Sequence, residues 1–329
     1  MNQDRKMSCK VSVIVPVYGV EKFIERCVRS LFNQTLEDVE FIFVDDATPD
    51  SSMDIVERLK GEFPGRNVRI FRHEINRGLP AARNTGLREA QGEYIFHCDS
   101  DDYVEPIMLE EMYRKAEETN ADIVWCDLFL NYSNDEIYLK QPCYRTPAEA
   151  LIGIMSGAMK YNVWNKLVRS SLYENSGIRF PDGFGMGEDM TVIKLMAKSK
   201  SIAYIPKGYY HYVKYNSDAF SNTYSDRHLS DLCHNVEDIC RFLKNNSDIT
   251  DEMLAWFLLE VKFPFLVSGQ KRLHDVWRKW FPKANRYAGR NSQMGRRRKL
   301  LQMMAAANQW WFVNLYYVLF YRILSHGRN

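Results

Sequence analysis

The stretch VSVIVPV (11–17) is a run of apolar, mostly β-branched residues in which Ser12 is the one polar side chain, followed at once by Tyr18 and Gly19. A strand with one wet face alternates apolar with polar, so a run without that alternation marks a strand covered on both faces. Sheets that bury strands in this way are mostly parallel and carry helices on both sides. The chain up to residue 125 repeats that logic. EKFIERCVRSLFNQ (21–34) has helical apolar spacing, and VEFIFVDD (39–46) is a second strand that ends on two aspartates. Thr48, Asp50 and Ser51 form a turn that caps a helix over 52–60. VRIFRH (68–73), EYIFHC (93–98) and ADIVWC (121–126) read as strands; LPAARNTGLREAQ (79–91) and 106–118 read as helices.

The pattern loosens after 126. Residues 127–160 read as a hairpin-like excursion followed by a helix from Pro147 to Met155, and KYNVWNKLVRSSLY (160–173) as a short helix. PDGFGMGED (181–189) is a Gly-rich loop opening a helix over 189–198, and SIAYIP (201–206) and GYYHYV (208–213) are two strands. From 226 the segments are helical: 226–245, 251–268, 270–280 and 297–324. This divides the chain into an α/β domain over 1–225, with halves at 9–125 and 126–225, and a helical extension over 226–329.

Charge follows the same division. Residues 262–329 hold 14 Lys/Arg and one acid, Asp275, a net +13, whereas the rest holds 30 Lys/Arg and 41 Asp/Glu, a net −11. A basic tail on an acidic body points to an anionic partner. Seven cysteines without C-x-x-C spacing read as reduced thiols in a cytosolic protein, not as a zinc site or a disulfide frame.

In α/β sheets of this kind ligands gather outside the carboxyl ends of the strands. Asp45–Asp46 and Asp99-Ser100-Asp101-Asp102 both fall there. Crowded carboxylates call for a positive partner, and Mg²⁺ or Mn²⁺ is commonly held by one or two carboxylates plus phosphate oxygens. The bland alternative is a solvated acidic turn at a helix start. Arg77 and Arg83 near a helix start favour an anion, Tyr18 offers a face to a base, and Glu188–Asp189 open another helix. Together these describe a nucleotide diphosphate pocket.

The segments VSVIVPVYGVEKFIERCVRSLFNQTLEDVEFIFVDDATPDSS and NRGLPAARNTGLREAQGEYIFHCDSDDYVEP resemble glycosyltransferase family 2, the inverting enzymes of GT-A fold. The likeness is close over about 9–125, weaker to about 220, and absent beyond 225. It implies a GT-A α/β catalytic domain over 1–225, a mostly parallel sheet flanked by helices with a nucleotide-binding half at 9–125 and an acceptor half at 126–225, and a helical C-terminal extension over 226–329. It implies that Pro16, Val17 and Tyr18 hold the nucleotide base, that Asp46 bonds it, and that Arg83 contacts donor or diphosphate. Asp99 would meet the ribose or the sugar, with Ser100 beside it. Asp101 would ligate Mn²⁺ or Mg²⁺, and Asp189 would be the catalytic base. Asp45, Asp102 and Glu188 would support these residues. VDDATPD departs from the commoner D-D-G/C-S form, with Ala47 and Thr48 in place of Gly/Cys and Ser.

The resemblance further implies inverting, metal-dependent transfer from a nucleotide-sugar, a UDP-sugar before others, to a glycan or lipid-linked acceptor, as in capsule, exopolysaccharide or O-antigen assembly. The rival readings are a sugar-phosphate nucleotidyltransferase and a non-catalytic sugar-nucleotide-binding subunit. PVYGVEKF lacks the basic Gly-rich loop the first requires; Asp101 and Asp189 disfavour the second.

Trp164 and Lys166 are candidates for the sugar or acceptor pocket, or for the core. His211, among tyrosines, is a structural residue or a diphosphate contact. Gly183, Gly185 and Gly187 do not fit G-x-G-x-x-G and read as a flexible active-site loop. In the tail, GRRRK (295–299) precedes the aromatic run QWWFVNLYYVLFYRIL (309–324), too short for a spanning helix. It suits a peripheral anchor on anionic lipid at the inner face of the cell membrane, with a helix packed on the catalytic domain as the alternative. Nucleic acid is not expected, because no nucleic-acid module accompanies the charge.

Overall fold

The computed structural model describes residues 9–216 and 224–323. The first half runs β1 (Cys9–Val17), α1 (Ile24–Phe32), β2 (Val39–Asp45), α2 (Ser52–Glu62), β3 (Asn67–Arg72), α3 (Leu79–Glu89), β4 (Gly92–His97), β5 (Tyr103–Val104) and α4 (Met108–Thr119). Then come β6 (Ile123–Asn131), β7 (Glu136–Leu139), α5 (Pro147–Met155), β8 (Lys166–Arg169), α6 (Ser170–Ser176), α7 (Thr191–Lys198) and β9 (Ile202–Val213). The helices α8 (Asp226–Asn246), α9 (Asp251–Leu266), α10 (Lys271–Lys279), α11 (Arg296–Ala306) and α12 (Trp310–Tyr317) follow.

One mixed sheet in the order β3-β2-β1-β4-β8-β6-β9-β5 forms the centre, with β7 on the same chain edge as β8. β3, β2, β1 and β4 are all parallel, and β6 and β9 are parallel to each other. The short antiparallel β8 joins the two parallel groups. The apolar run of β1 is buried on both faces. Val11, Val13, Val15 and Val17 enter the core beneath α1, α2 and α4, and Ile14 enters the opposite core. A Cβ on Gly86 of α3 would lie 2.3 Å from Ile14 Cγ2, so α3 approaches β1 as closely as it does only with glycine there.

The core that contains Ile14 continues through α5 and α7 into the C-terminal helices, reaching Trp277, Leu301 and Val313. The helical extension therefore shares apolar contact with the sheet domain.

Three segments differ from the sequence reading. Residues 160–173, expected as a helix, form a loop, strand β8 and then α6. The strand wins because Leu167 and Val168 pair with both β4 and β6, and because Asn165 Nδ2 donates to the Cys126 carbonyl at 2.9 Å. The two strands expected over 201–213 are one strand, β9, interrupted by a bulge. Its register on β6 passes from Cys126↔Ile205 to Asp127↔Gly208 and then Leu128↔Tyr210. Exposed Pro206 and Lys207 fall in the bulge, where a proline's missing N–H costs no ladder bond. The helix expected over 297–324 breaks at 307–309, where Asn308 has φ +59°; residue 324 lies outside the described residues.

Candidate active site

β1 lies between β2 and β4, so the two acidic clusters flank the end of β1. Tyr18 projects there with 50% exposure. Pro16 and Val17, expected beside it at the base, are instead buried within the sheet, paired with Val44 and Asp45.

The first cluster is occupied by its own chain. Asp45 Oδ1 accepts from Thr48 N at 2.9 Å, closing a turn in which Ala47 sits at φ +55°. Asp46, expected to bond the base, is 3% exposed. Its Oδ1 accepts from Arg77 N at 2.8 Å and meets His73 Nδ1 at 2.6 Å, and its Oδ2 accepts from Gly78 N at 2.7 Å. Asp46 thus ties down the loop 73–78, and any contact with a base competes with those bonds. Asp50 does comparable work one turn later. Its carboxylate accepts from Glu21 N, Thr48 Oγ1 and Ser52 Oγ at 2.9, 2.7 and 2.6 Å, which fastens the loop after β1. Burial works against that charge, but the hydrogen bonds from Ser52 and Thr48 outweigh it and hold the Asp50 carboxyl below its ordinary range.

The second cluster is built differently. Asp102 is fully buried, with Oδ2 accepting from Tyr210 Oη and Oδ1 from Val213 N, both at 2.7 Å. Burial first, then the charges of Asp101 and Asp99, push its carboxyl well above the usual carboxylate range. Ser100 is buried beside it. The Asp101 carboxylate accepts from Asn216 Nδ2 at 2.8 Å; burial and the Asp99 charge raise it as well. Arg26 faces the same loop from α1, with its guanidinium 4.2 Å from the Tyr103 ring centre and Nη1 donating to Tyr215 Oη at 2.6 Å.

Arg83 joins Asp99 to the Gly-rich loop. It is 1% exposed. Nη2 donates to Asp99 Oδ1 at 2.8 Å, and Nη1 to Asp189 Oδ1 at 2.6 Å and Glu188 Oε1 at 3.2 Å. Three carboxylates around one guanidinium leave the cluster with excess negative charge. Burial, with the Asp189 charge adding to it, pushes Glu188 up to about 8. Asp189 is also raised, because burial outweighs the pull of Arg83. Arg83, expected against the donor or diphosphate, is a bridge between the two acidic sides of the site.

The Gly-rich loop was expected to be flexible, yet α8 holds it. Gly185 N donates to Asp231 Oδ2 at 3.2 Å, Asn235 Nδ2 donates to the Phe184 and Met186 carbonyls at 3.1 and 2.9 Å, and Phe184 stacks on His234. Gly187 sits at φ +84° with a virtual Cβ 2.8 Å from Leu232 Cδ1, so glycine alone fits immediately before Glu188.

Trp164 is buried and stacks on Tyr210 with ring centres 4.3 Å apart, which makes it a support for the Asp102 partner. Lys166 is fully buried, donating from Nζ to the Lys160 and Asn162 carbonyls at 3.0 and 2.6 Å and to Asn165 Oδ1 at 2.8 Å. Burial lowers its amine to about 7, with the Asp189 charge pulling the other way. His211 lies between the rings of Tyr103 and Phe129, at 4.2 and 4.6 Å. Its Nε2 meets Glu105 at 2.8 Å and its Nδ1 meets Glu136 at 3.2 Å, so both ring nitrogens face protein carboxylates.

Among the described residues no three His, Cys, Asp or Glu side chains converge into a closed metal cage. An Mg²⁺ or Mn²⁺ ion needs no such cage, because it keeps waters and takes substrate oxygens. Burial and the Asp99 charge disfavour ionised Asp101, a cost that such an ion would relieve, and the residues fit.

A family model described as Glycosyl transferase family 2 matches residues 12–191. The chain belongs to glycosyl transferase family 2. EpsJ of Bacillus subtilis, described as an uncharacterized glycosyltransferase, is 34% identical over 211 residues, covering 61% of this chain and 60% of EpsJ. The cholesterol galactosyltransferase of Borreliella burgdorferi is 30% identical over 242 residues, covering 69% of this chain and 66% of that one. The alignments thus span less than two thirds of either relative's own length. The structure of S. aureus TarS 1–349 in complex with UDP-GlcNAc aligns at TM-score 0.69 and 22% identity, over 94% of this chain and 91% of that chain. A mannosyltransferase from Pyrobaculum calidifontis, in complex with GDP-Man and Mn²⁺, aligns at TM-score 0.53 and 17% identity, over 92% and 88%. The fold of this family 2 glycosyltransferase is GT-A with a helical C-terminal region.

Four residues that hold the candidate site were not singled out for it from the sequence: His73, Asp50, Tyr210 and Asn216. Asp50 and His73 carried a local signal, as polar residues beside strand ends. Tyr210 and Asn216 lie more than a hundred residues from the carboxylates they touch, and no local pattern marks them.

Proposed function

We propose that this glycosyltransferase moves a sugar from a UDP-sugar to a hydroxyl of a glycan or lipid-linked acceptor, with inversion, in capsule, exopolysaccharide or O-antigen assembly. The observation that carries the reading is the Arg83 bridge, which sets Asp99 and Asp189 on either side of one guanidinium. Asp99 faces the donor and Asp189 the acceptor. Tyr18 packs against the base, and Asp45 and Asp46 hold the two loops that frame it.

Asp189 takes the proton from the acceptor hydroxyl as that oxygen bonds to the anomeric carbon and the bond to the diphosphate oxygen breaks. One displacement with one base inverts the anomeric configuration, and a general base contributes roughly 10²–10⁴ in rate. Arg83 keeps Asp189 aimed and favours its ionised form, and Glu188, raised by burial, holds a proton there at neutral pH and limits the crowding. Lys166 fixes the loop 160–165 beside them. Bound through Asp101 and donor oxygens, Mn²⁺ or Mg²⁺ would supply charge to the departing diphosphate. The solved relatives in complex with UDP-GlcNAc, and with GDP-Man and Mn²⁺, support a nucleotide-sugar donor and a cation.

The test is nucleotide diphosphate release from a panel of nucleotide-sugars with Mn²⁺, with Asp189→Asn beside wild type. A UDP-sugar turns over in wild type and the variant loses about a thousandfold. No turnover of any donor sinks the enzyme reading; a fully active variant sinks only the base.

We assign the protein to the cytoplasmic face of the membrane, bound peripherally. No helix among the described residues is long and apolar enough to cross a bilayer. Leu300, Met303, Trp311, Leu315 and Leu319 are exposed on α11, α12 and the turn after them, beside exposed Arg296 and Arg297. Leu301, Ala305 and Val313 bury the other side against the body. Apolar side chains amid basic ones suit anionic lipid. The full chain should sediment with phosphatidylglycerol vesicles, and a W311S/L315S/L319S variant should stay in the supernatant; equal sedimentation refutes the assignment.

A further inference from the structure

The end of β9 and the residues just after it donate to the acidic loop three times, and Tyr210 Oη also accepts from Asp99 N at 3.1 Å. Tyr210 Oη and Val213 N both donate to Asp102, and Asn216 Nδ2 donates to Asp101 Oδ2. The first two contacts end on a fully buried carboxylate and give each of its oxygens a donor. The third ends on the carboxylate assigned to the cation. Asn216 is itself 8% exposed, so its amide is held against Asp101 by the surrounding fold.

A neutral amide does not cancel the Asp101 charge. It does something a lysine or arginine in that place could not do. Rotating the amide half a turn exchanges its donor and acceptor groups at nearly the same position. Against a bare carboxylate the NH₂ side is favoured. Against a carboxylate that carries a cation the carbonyl side is favoured, because NH₂ hydrogens repel positive charge. Asn carbonyl oxygen is an established type of ligand for hard divalent cations.

We propose that Asn216 is the second protein ligand of the cation site anchored by Asp101, its amide turning over to present Oδ1 when the cation arrives. The donor-bound site then has one charged and one neutral protein oxygen, with diphosphate oxygens and water completing the shell. A site with one protein charge binds its cation weakly alone and firmly once the donor's phosphates are present. The proposal rests on the divalent-cation reading above.

The test measures Mn²⁺ binding by electron paramagnetic resonance on the full chain, with and without UDP, and needs no turnover. Asn216→Ala is expected to weaken binding about tenfold, since lost metal-site partners cost 10–100-fold. Asn216→Asp is expected to tighten it about tenfold, because added ligand charge raises affinity. If both variants weaken binding, or neither changes it, the ligand role is overturned and Asn216 only orients Asp101. If wild type binds no Mn²⁺ even with UDP, the cation reading fails and the proposal with it. Asn216→His supplies a direct readout: bound Mn²⁺ should show coupling to a coordinated nitrogen by spin-echo modulation. Mn²⁺ bound without that coupling overturns the assignment.

Discussion

The two acidic clusters at neighbouring strand ends look alike in sequence and are used in opposite ways. Asp45 and Asp46 accept chiefly from backbone N–H groups of the turns around them, at Thr48, Arg77 and Gly78. Asp99, Asp101 and Asp102 accept from side chains and backbone that arrive from distant elements: Arg83, Asn216, Tyr210 and Val213. A carboxylate satisfied by the backbone of the turns beside it is part of the frame. A carboxylate crowded against other carboxylates, and held mostly by side chains, is the kind proposed above to take a ligand. The number of backbone N–H donors, three against one, rather than the number of aspartates, separates the two.

The largest effect tests the second cluster. Asp101→Asn should lower transfer by two to three orders of magnitude, since a cation supplies several kcal/mol to the departing group. Its melting temperature should hold or rise, because the substitution removes a buried charge that burial and Asp99 disfavour. A variant that melts lower and turns over normally would break the comparison.

Asp46→Asn should do the reverse. It replaces an acceptor of three contacts by an amide with one acceptor atom, and a cost of about 2 kcal/mol in denaturant unfolding follows from hydrogen bonds to a buried charge. The residual activity should show a raised KM for the donor, with kcat close to that of wild type.

A smaller effect concerns pH. Glu188 moves from an ordinary 4.5 to about 8 on folding, so the folded state binds its proton more tightly than the unfolded chain. Its contribution to stability is fully present below pH 4.5 and is lost as pH rises toward 8. Wild type should therefore lose stability over that window more steeply than Glu188→Gln, measured by urea midpoints at pH 5 and pH 8. Identical slopes would mean that Glu188 stays ionised.

Ala47→Gly should produce the smallest change. Ala47 holds φ +55°, which costs a residue with a Cβ roughly 1–2 kcal/mol, partly offset by glycine's greater loss of backbone freedom. A gain of about 0.5 kcal/mol is expected, with transfer unchanged, as suits a position that belongs to the frame.

The parallel half of the fold was legible because each strand there is an apolar run bounded by its own turn. Asp45, Asp46 and Asp99–Asp102 could be placed at strand ends from those runs alone. Arg83 was legible as a site residue, yet its partners were not, because Glu188 and Asp189 lie 105 and 106 residues further on. Strand β8 was missed because its four residues carry no period of their own; pairing with β4 and β6 makes it a strand. The grip of α8 on the Gly-rich loop was hidden for the same reason. Asp231 and Asn235 are polar residues on a helix, and only the fold shows that they hold Gly185, Phe184 and Met186. The extension, outside the family match, therefore helps position the loop before Asp189.

The bulge in β9 sets which way that strand's far end looks. Between Cys126 and Leu128 the chain of β6 takes two steps, while β9 takes five, from Ile205 to Tyr210. Three residues are surplus, an odd number. A strand running straight on from Ala203 and Ile205 would alternate sides and turn Tyr210 away from them. With the surplus, Tyr210 returns to their side of the sheet, where its ring meets Trp164 and its hydroxyl meets Asp102. The bulge acts as a parity switch: what Pro206 and Lys207 are matters less than how many residues stand there, and drift in their identity should leave the aim of the strand intact.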